Sequence, residues 1–206
     1  MDVFRWTEAD DSYPALRAKR DWAKFFPRRP GILLEKSPPN TVRARWLQRN
    51  FSPSRFLAVV RNPYAVCEGI RRRHDYSIEV AANHWLCANE CLFADMKLLE
   101  KAMWFKYEDF TEKTQEYLKK IQVFLELKEP FDMAKWSSAF AHSVEGNTCG
   151  IQNLNEESLS KLSGQDISTI NRIAGKFMTV LGYPVRQLNT WEEKEATARN
   201  RELPLQ

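Results

Sequence analysis

Residues 55–73 read RFLAVVRNPYAVCEGIRRR, and this stretch decides the fold class. The run from Arg55 to Val60 is almost wholly apolar and rich in β-branched residues at its end, which predicts a central strand covered on both faces. Pro63 suits the first turn of a helix, and no proline follows it as far as Arg73. The stretch therefore predicts a strand, a sharp turn and a helix in direct succession.

Strand and helix signals alternate on both sides of this stretch. Such alternation predicts an α/β fold with a short parallel sheet flanked by helices, because helical crossovers are the usual connection between parallel strands. Two further strands are predicted at 32–34 and 103–109. Helices are predicted at 13–26, 41–50, 77–101, 111–127 and 166–182. Residues 128–155 are predicted to form a long loop, in one domain of residues 1–186 that a polar tail at 187–206 follows.

Composition limits the classes of partner. The chain has 206 residues, 43% of them hydrophobic, which is enough for one sizeable core. Its formal charge of +4 and pI near 8.9 are too weakly basic for a dedicated nucleic-acid binder, whereas an anionic small molecule would suffice. Arginines cluster at 43–49 and 71–73, and they can be read either as solvated helix faces or as ligand contacts.

Cysteine spacing and hydropathy indicate the cellular compartment and argue against metal and membrane sites. The four cysteines form no C-x-x-C pair, so neither a zinc finger nor a disulfide scaffold is expected, and a reducing, cytoplasmic compartment fits best. His84, Cys87 and Cys91 share one helix face, but we interpret them as core residues and expect no metal. No membrane segment is expected, because no stretch reaches about 18 apolar residues.

Arg61 stands between the predicted strand and the predicted helix N-terminus. Unsatisfied backbone amides and the positive end of the helix dipole favour a phosphate there. Arg61 could add a bidentate, charge-assisted contact to the phosphate oxygens. The alternative is that Arg61 pairs with a carboxylate and that the turn only closes a crossover; these residues alone leave both interpretations open.

Four segments carry a resemblance to a known family. RFLAVVRNPYAV resembles the motif, a hydrophobic strand followed by R-[ND]-P, with which sulfotransferases bind the 3'-phosphate of their donor, 3'-phosphoadenosine-5'-phosphosulfate. ILLEKSPPN at 32–40 resembles the family's EKSP or EKTP segment, KYEDF at 106–110 its YEDL segment, and LGYP at 181–184 its closing helix end. The segments follow the family's order and span roughly residues 31–184. The resemblance implies a P-loop-NTPase-like sulfotransferase fold.

The resemblance also implies roles for individual residues. Arg61 would bind the 3'-phosphate, Lys36 would face the reacting centre as a compact cation, and Tyr107 would lie near the adenosine. The loop VEGNTCGIQN at 144–153 would fold over the nucleotide with Asn147 and Thr148 as donors; an ordinary surface loop is the alternative. Glu35 is expected to orient its neighbours; a role as the catalytic base is the alternative.

Two departures from the family pattern stand out. The family usually has a serine eight residues after the motif arginine, where this chain has Gly69, which we interpret as close approach by a ligand or another backbone. The family also begins with a small-residue loop that cradles the 5'-phosphosulfate, but Gly31 is the only glycine among the first 68 residues. The fold is therefore expected to be incomplete at its N-terminus and to need a missing segment or a partner chain; a natural remnant is the alternative.

The implied function is transfer of a sulfuryl group from 3'-phosphoadenosine-5'-phosphosulfate to a hydroxyl or amine on a small-molecule, carbohydrate or protein acceptor, without a metal. One alternative is a module of the same fold that binds a nucleotide or a protein without catalysis. Another is a P-loop kinase-like phosphotransferase, although the sequence contains no Gly-Lys-Ser or Gly-Lys-Thr.

Overall fold

The computed structural model describes residues 5–11, 14–26, 31–132 and 151–187, and the backbone of 142–144 and 147–149. A 3-10 helix spans Pro38–Val42. The α-helices are α1 (Ala15–Ala23), α2 (Ala44–Asn50), α3 (Pro63–His74), α4 (Ile78–Met96), α5 (Tyr107–Glu112), α6 (Thr114–Leu125), α7 (Asn155–Leu159) and α8 (Gly164–Val180). The strands are β1 (Phe56–Val60), β2 (Ala102–Lys106), β3 (His142–Val144) and β4 (Asn147–Cys149).

The strand, turn and helix predicted from residues 55–73 are confirmed as β1 and α3. The Asn62 side chain caps α3 by accepting a hydrogen bond from the backbone N–H of Tyr64 at 3.0 Å, and Pro63 occupies the first helical turn. β1 and β2 form a two-stranded parallel sheet, so the α/β class is confirmed in a helix-rich form. β1 is not covered on both faces, because its Val59 side chain is 55% exposed.

The strand predicted at 32–34 is wrong. Residues 32–37 have no regular secondary structure, and Ile32, Leu33 and Leu34 are 58%, 54% and 78% exposed. A strand exists only where a neighbouring strand accepts its backbone hydrogen bonds, and in the described part of the chain none pairs with these residues. An apolar run alone does not supply that neighbour.

Two other boundaries differ from the sequence predictions. The strand predicted at 103–109 ends at Lys106, since Tyr107 and the two residues after it open α5. The loop predicted at 128–155 contains a short antiparallel hairpin, in which β3 pairs with β4 so that Ser143 lies opposite Thr148. Almost all of the predicted polar tail at 187–206 lies outside the described residues.

Contacts within the chain divide it into two compact units, Met1–Ala58 with Cys87–Met103 and Val59–Leu86 with Trp104–Gln206. The prediction of one domain over residues 1–186 stays a prediction. In the described part of the chain, none of the helices combines the length and the apolar character needed to cross a lipid bilayer.

The first unit is held together by aromatic and ionic contacts. The Trp22 ring stacks on Phe51 with 4.7 Å between their centroids. The carboxylate of Asp95 is fully buried and pairs with Arg5 and with Arg45, which also binds Glu8. The guanidinium of Arg43 lies 4.1 Å from the ring centre of Trp6, and Arg49 pairs with Asp11 at 3.2 Å. The arginines of 43–49 are therefore engaged in contacts within the protein.

The second unit has its core where α3 packs against α7 and α8. Cys67, Ile170 and Met178 are fully buried there. α8 begins with a capping box in which Ser163 and Asp166 bind each other's backbone N–H groups, and Arg71 of α3 pairs with Asp166 at 2.9 Å. α8 is followed by Gly182 at a φ of 69°, a left-handed conformation that glycine adopts without steric cost.

The segment after α8 is fastened to both neighbouring helices. The Tyr64 hydroxyl accepts a hydrogen bond from the backbone N–H of Arg186 at 2.9 Å and donates one to Asn171. The Asn171 amide in turn donates to the backbone carbonyl of Arg186 at 2.8 Å. The backbone of Arg186 is thus held from both sides.

Candidate anion-binding site

Arg61 is fixed at the junction of β1 and α3 by its backbone. Its carbonyl accepts a hydrogen bond from the indole Nε1 of Trp85 at 3.0 Å, and Trp85 is almost fully buried. The next residue, Asn62, is the cap of α3. The side chain of Arg61 therefore starts at the positive end of a twelve-residue helix, where the dipole favours anions.

The Arg61 side chain is half-buried and is held at two points. Its Nε donates a hydrogen bond to Oδ1 of Asn155 at 2.8 Å, and its guanidinium lies 4.5 Å from the ring centre of Tyr107 in a cation–π contact. Among the described residues, no carboxylate pairs with Arg61, and its terminal Nη1 and Nη2 have no hydrogen-bond partner. The alternative interpretation, that Arg61 pairs with a carboxylate, is therefore wrong for the described residues.

Glu108 holds the surroundings of Arg61 together. One of its oxygens, Oε1, accepts hydrogen bonds from the backbone N–H of Asn62 at 2.9 Å and from Nδ2 of Asn155 at 2.6 Å. The other, Oε2, accepts one from the hydroxyl of Tyr183 at 3.1 Å. Glu108 and Asn155 were not among the predicted site residues. Glu108 lies in the quoted KYEDF segment directly after β2, and that position was the one signal that could have found it.

Tyr183 donates its proton into this network from a buried position. Its hydroxyl lies 3.1 Å from the carbonyl oxygen of Val60 as well as from Glu108. Burial, and then the negative charge of Glu108, raise the pKa of Tyr183 well above its usual range. The hydroxyl therefore stays protonated at neutral pH and remains a hydrogen-bond donor.

Tyr107, predicted near the nucleotide, lies directly against Arg61. Its hydroxyl donates to the backbone carbonyl of Gln152 at 2.6 Å and accepts a hydrogen bond from the backbone N–H of Leu154 at 3.3 Å. These bonds tie α5 to the segment that leads into α7. The ring is thereby held in place beneath the guanidinium.

A cavity of about 330 Å³ lies next to this network, at the small end of the range of about 300–1,000 Å³ typical of ligand pockets. Arg61 does not line it, but its partner Asn155 does. The lining residues are Asn62, Tyr64, Lys106, Glu108, Asp109, Asn153, Asn155, Glu156, Leu159, Gly182, Tyr183, Pro184 and Arg186. Lys106 donates to the carbonyl of Gly182 at 2.9 Å, which fixes one wall.

No other backbone approaches Gly69 closely among the described residues, whereas contact between Gly69 and a ligand stays a prediction. Gly69 lies inside α3, and a Cβ atom built on it would have no atom within 4 Å. Of the clustered arginines at 71–73, Arg71 pairs with Asp166 and Arg72 pairs with Glu68.

Lys36 belongs to the first unit, whereas Arg61 belongs to the second. Lys36 is exposed and has no interaction partner in the described part of the chain. Its neighbour Glu35 accepts hydrogen bonds from Ser37, at 2.6 Å, and from Asn40, which fits the expected orienting role. Asn147 and Thr148 lie in β4, but their side chains are outside the described part of the structure.

No cluster of three or more His, Cys, Asp or Glu side chains suited to a metal ion occurs among the described residues. His84 is exposed, and Cys87 and Cys91 are half-buried.

A scan against protein-family models finds no matching model, and a search of curated proteins finds no significant match. A solved structure described as "Sulfotransferase Domain from the Curacin Biosynthetic Pathway" is similar, with a TM-score of 0.55 and 21% sequence identity. The similarity covers 84% of this chain and 69% of that chain. The chain therefore has the fold of a sulfotransferase domain.

Proposed function

We propose that this chain binds 3'-phosphoadenosine-5'-phosphosulfate through Arg61 and supports transfer of its sulfuryl group to a hydroxyl or amine. The observation that carries the proposal is the state of Arg61. It stands at a strand–helix junction, with both terminal nitrogens unpartnered among the described residues. The likeness to a sulfotransferase domain supports the choice of donor over other phosphate-bearing ligands.

The chemistry of the site favours a dianionic phosphate at Arg61. A guanidinium offers two parallel N–H groups that match two phosphate oxygens, and charge-assisted hydrogen bonds of this kind are roughly twice as strong as neutral ones. The dipole of α3 adds attraction at the same point. Tyr107 occupies one face of the guanidinium, so the in-plane donors Nη1 and Nη2 remain for the ligand.

Transfer would proceed by in-line displacement. The acceptor oxygen or nitrogen would bond to sulfur as the bond from sulfur to the bridging phosphate oxygen breaks, and 3',5'-phosphoadenosine would leave with that electron pair. The proton of the acceptor would pass to a base that the described residues do not identify. Lys36 would stabilise the charge that accumulates on the sulfuryl or bridging oxygens, and no metal takes part. The acceptor would be a small molecule, a carbohydrate or a protein.

Calorimetric titration of 3',5'-phosphoadenosine into the wild type and Arg61→Ala tests the anchor. Loss of a charged hydrogen-bond partner costs about 1.5–3 kcal/mol, so we expect Arg61→Ala to weaken binding by at least about tenfold. Arg172→Ala is the matched control, because Arg172 is an exposed arginine of α8 that pairs with the exposed Glu79, and the variant loses the same charge. Equal affinities in wild type and Arg61→Ala would refute the anchoring role.

A second candidate function is nucleotide binding without transfer. Its specific support is the state of segment 31–37, which has no regular secondary structure and leaves Lys36 exposed. Release of 3',5'-phosphoadenosine from the sulfated donor, followed in the presence of simple phenol and amine acceptors, separates the two functions. Turnover that Lys36→Ala abolishes supports the transferase, whereas tight binding with no turnover for any acceptor supports the binding module.

A further inference from the structure

A neutral amide separates the carboxylate of Glu108 from the guanidinium of Arg61. Asn155 accepts from Nε of Arg61 at 2.8 Å through Oδ1 and donates to Oε1 of Glu108 at 2.6 Å through Nδ2. The chemistry of the neighbours enforces this orientation, because a guanidinium can only donate and a carboxylate can only accept. Flipping the amide would place donor against donor and acceptor against acceptor.

Asn155 is well placed to act as a fixed spacer. It is 6% exposed, and it is the first residue of α7, which packs against α3. Its backbone N–H donates to Oδ1 of Asn153 at 3.0 Å. Both the backbone and the side chain of Asn155 are therefore held in position before any ligand arrives.

Glu108 is also held in position, so its carboxylate cannot approach Arg61. Its carboxylate already accepts three hydrogen bonds, from Asn62, Asn155 and Tyr183. A rotation toward Arg61 would break these bonds and leave buried donors unpaired, which is costly. The negative charge is thus kept one amide away from the positive charge.

The spacer has an electrostatic consequence. If Glu108 paired directly with Arg61, a bidentate ion pair would occupy the donors that a phosphate needs and would neutralise the charge that attracts it. With Asn155 between them, the carboxylate orients the arginine through the amide, while Nη1 and Nη2 keep both their protons and their charge.

We propose that Asn155 is a positioning residue that prevents Glu108 from neutralising Arg61, and that it thereby sets the preference of the site for nucleotides with a 3'-phosphate. This inference rests on the proposed function, because it assumes that Arg61 meets the 3'-phosphate. The effect is specific to that group: a nucleotide without the 3'-phosphate gains nothing from an uncompensated Arg61.

The test compares 3',5'-phosphoadenosine with adenosine 5'-phosphate in calorimetric titrations of wild type and Asn155→Asp. The substitution keeps size and shape but places a carboxylate directly on Arg61. We expect binding of the bisphosphate to weaken by at least about tenfold and binding of the monophosphate by less than about threefold. A merely structural role for Asn155 would weaken both nucleotides alike, and that result would overturn the proposal.

The pH profile of Asn155→Asp gives a second readout. The introduced carboxylate and that of Glu108 would lie in hydrogen-bond contact, and two carboxylates so close share a proton at lower pH. Once protonated, the introduced carboxyl group reproduces the donor and acceptor pattern of asparagine. The deficit in bisphosphate affinity relative to wild type at the same pH is therefore expected to shrink as pH falls from about 8 toward about 5. A deficit that stays constant contradicts the proposal.

Two further variants serve as the control and as the reserve test. Asn83→Asp in α4 adds the same charge on a half-buried helical residue whose side-chain amide donates to the carbonyl of Glu79, and its nucleotide preference should equal that of wild type. The double variant Asn155→Asp, Glu108→Gln moves the carboxylate from 108 to 155 at constant net charge. It carries the test if the single variant does not fold, and it should also lose the preference.

The outcomes separate the two claims. A wild type that binds both nucleotides equally, or neither, defeats the proposed function. A wild type that prefers the bisphosphate, together with a variant at 155 that keeps this preference, defeats the positioning role alone.

Discussion

The indole of Trp85 donates a hydrogen bond to the backbone carbonyl of Arg61 at 3.0 Å, across 24 residues of chain. The bond fixes the end of β1 just where the arginine side chain begins. Trp85 is 3% exposed, and its ring also contacts Phe177 and Tyr183 edge-on. The position of Arg61 therefore depends on a residue of α4 that contacts no ligand in the proposed mechanism.

Trp85→Phe is expected to lower the free energy of unfolding by about 1–3 kcal/mol, because the partly buried carbonyl of Arg61 loses its donor. Urea titration followed by circular dichroism measures this change. Trp104→Phe is the matched control, since Trp104 is 39% exposed, and its effect should be smaller. Equal losses in the two variants would show that the hydrogen bond to Arg61 contributes little.

Gly69 gives a prediction about both stability and binding. Because a Cβ atom meets nothing within 4 Å, Gly69→Ala should stabilise α3 by about 1 kcal/mol, and Gly69→Ser by less. Only the serine adds the hydroxyl that the resembling motif has at this position. We therefore expect Gly69→Ser, but not Gly69→Ala, to bind 3',5'-phosphoadenosine more tightly than wild type. A destabilised alanine variant would contradict the open space seen here.

Asp166 should make stability depend on acid pH. Burial alone would raise its pKa, but the hydrogen bonds from Ser163 and Arg71 outweigh that effect and hold the pKa below its usual value near 3.8. A carboxyl with a depressed pKa in the folded state stabilises the protein above the pKa of the unfolded state, and this contribution is lost as pH falls through the folded-state pKa.

Asp166→Asn should therefore be less stable than wild type at pH 7 by about 1 kcal/mol, and the difference should shrink below about pH 4. Urea unfolding at pH 7, 5 and 3 provides the measurement. Asp21→Asn, which removes an exposed pair with Lys24, is the control and should show no measurable change. A deficit at Asp166 that is independent of pH would assign its role to shape rather than charge.

Cys67 is expected to resist alkylation in the folded protein. Burial raises the pKa of its thiol to about 12, so very little reactive thiolate forms at pH 8. Peptide mapping after iodoacetamide treatment should find Cys87, which is half-buried, modified well before Cys67. In 6 M guanidinium chloride the two should react at similar rates. Rapid native labelling of Cys67 would show that α3 opens frequently.

The sequence predicts a buried strand at 32–34, whereas the structure exposes these residues, and stability measurements can distinguish the two. Leu34→Ala should change the free energy of unfolding by less than about 0.5 kcal/mol, because the side chain is 78% exposed. Ile170→Ala, at a fully buried position of α8, should cost about 2–5 kcal/mol. Chemical denaturation of the two variants side by side decides. A large loss for Leu34→Ala would restore the buried-strand prediction.

Local signals were enough to predict β1, α3 and α8. A proline at the first turn and a glycine that follows the helix act within a few residues of the element that they delimit. The run at 32–34 has a local signal of the same kind but no strand, since pairing depends on a distant partner. The sequence also could not show that the sheet of β1 and β2 has two strands, because the number of strands depends on pairing between distant segments.

Around Arg61, too, local motifs predicted some of the site residues, and only the tertiary fold brings in the others. The sequence motif found the arginine and its neighbour Tyr107, which the structure brings into contact. It could not find Asn155, which is 94 residues from Arg61 and lies in no quoted motif. Glu108 was in view as part of KYEDF, but its three donors come from Asn62, Asn155 and Tyr183, and only the tertiary fold assembles them.

The hydrogen bonds of Tyr64 and Asn171 to the backbone of Arg186 determine where the gene can be shortened. A stop codon placed directly after Gln187 keeps all three hydrogen bonds, whereas one placed after Pro184 removes Arg186 and with it the two bonds that its backbone makes. Expression vectors for crystallisation or labelling are best built with their last native codon at or beyond 187, because that choice leaves the seam between α3 and α8 closed.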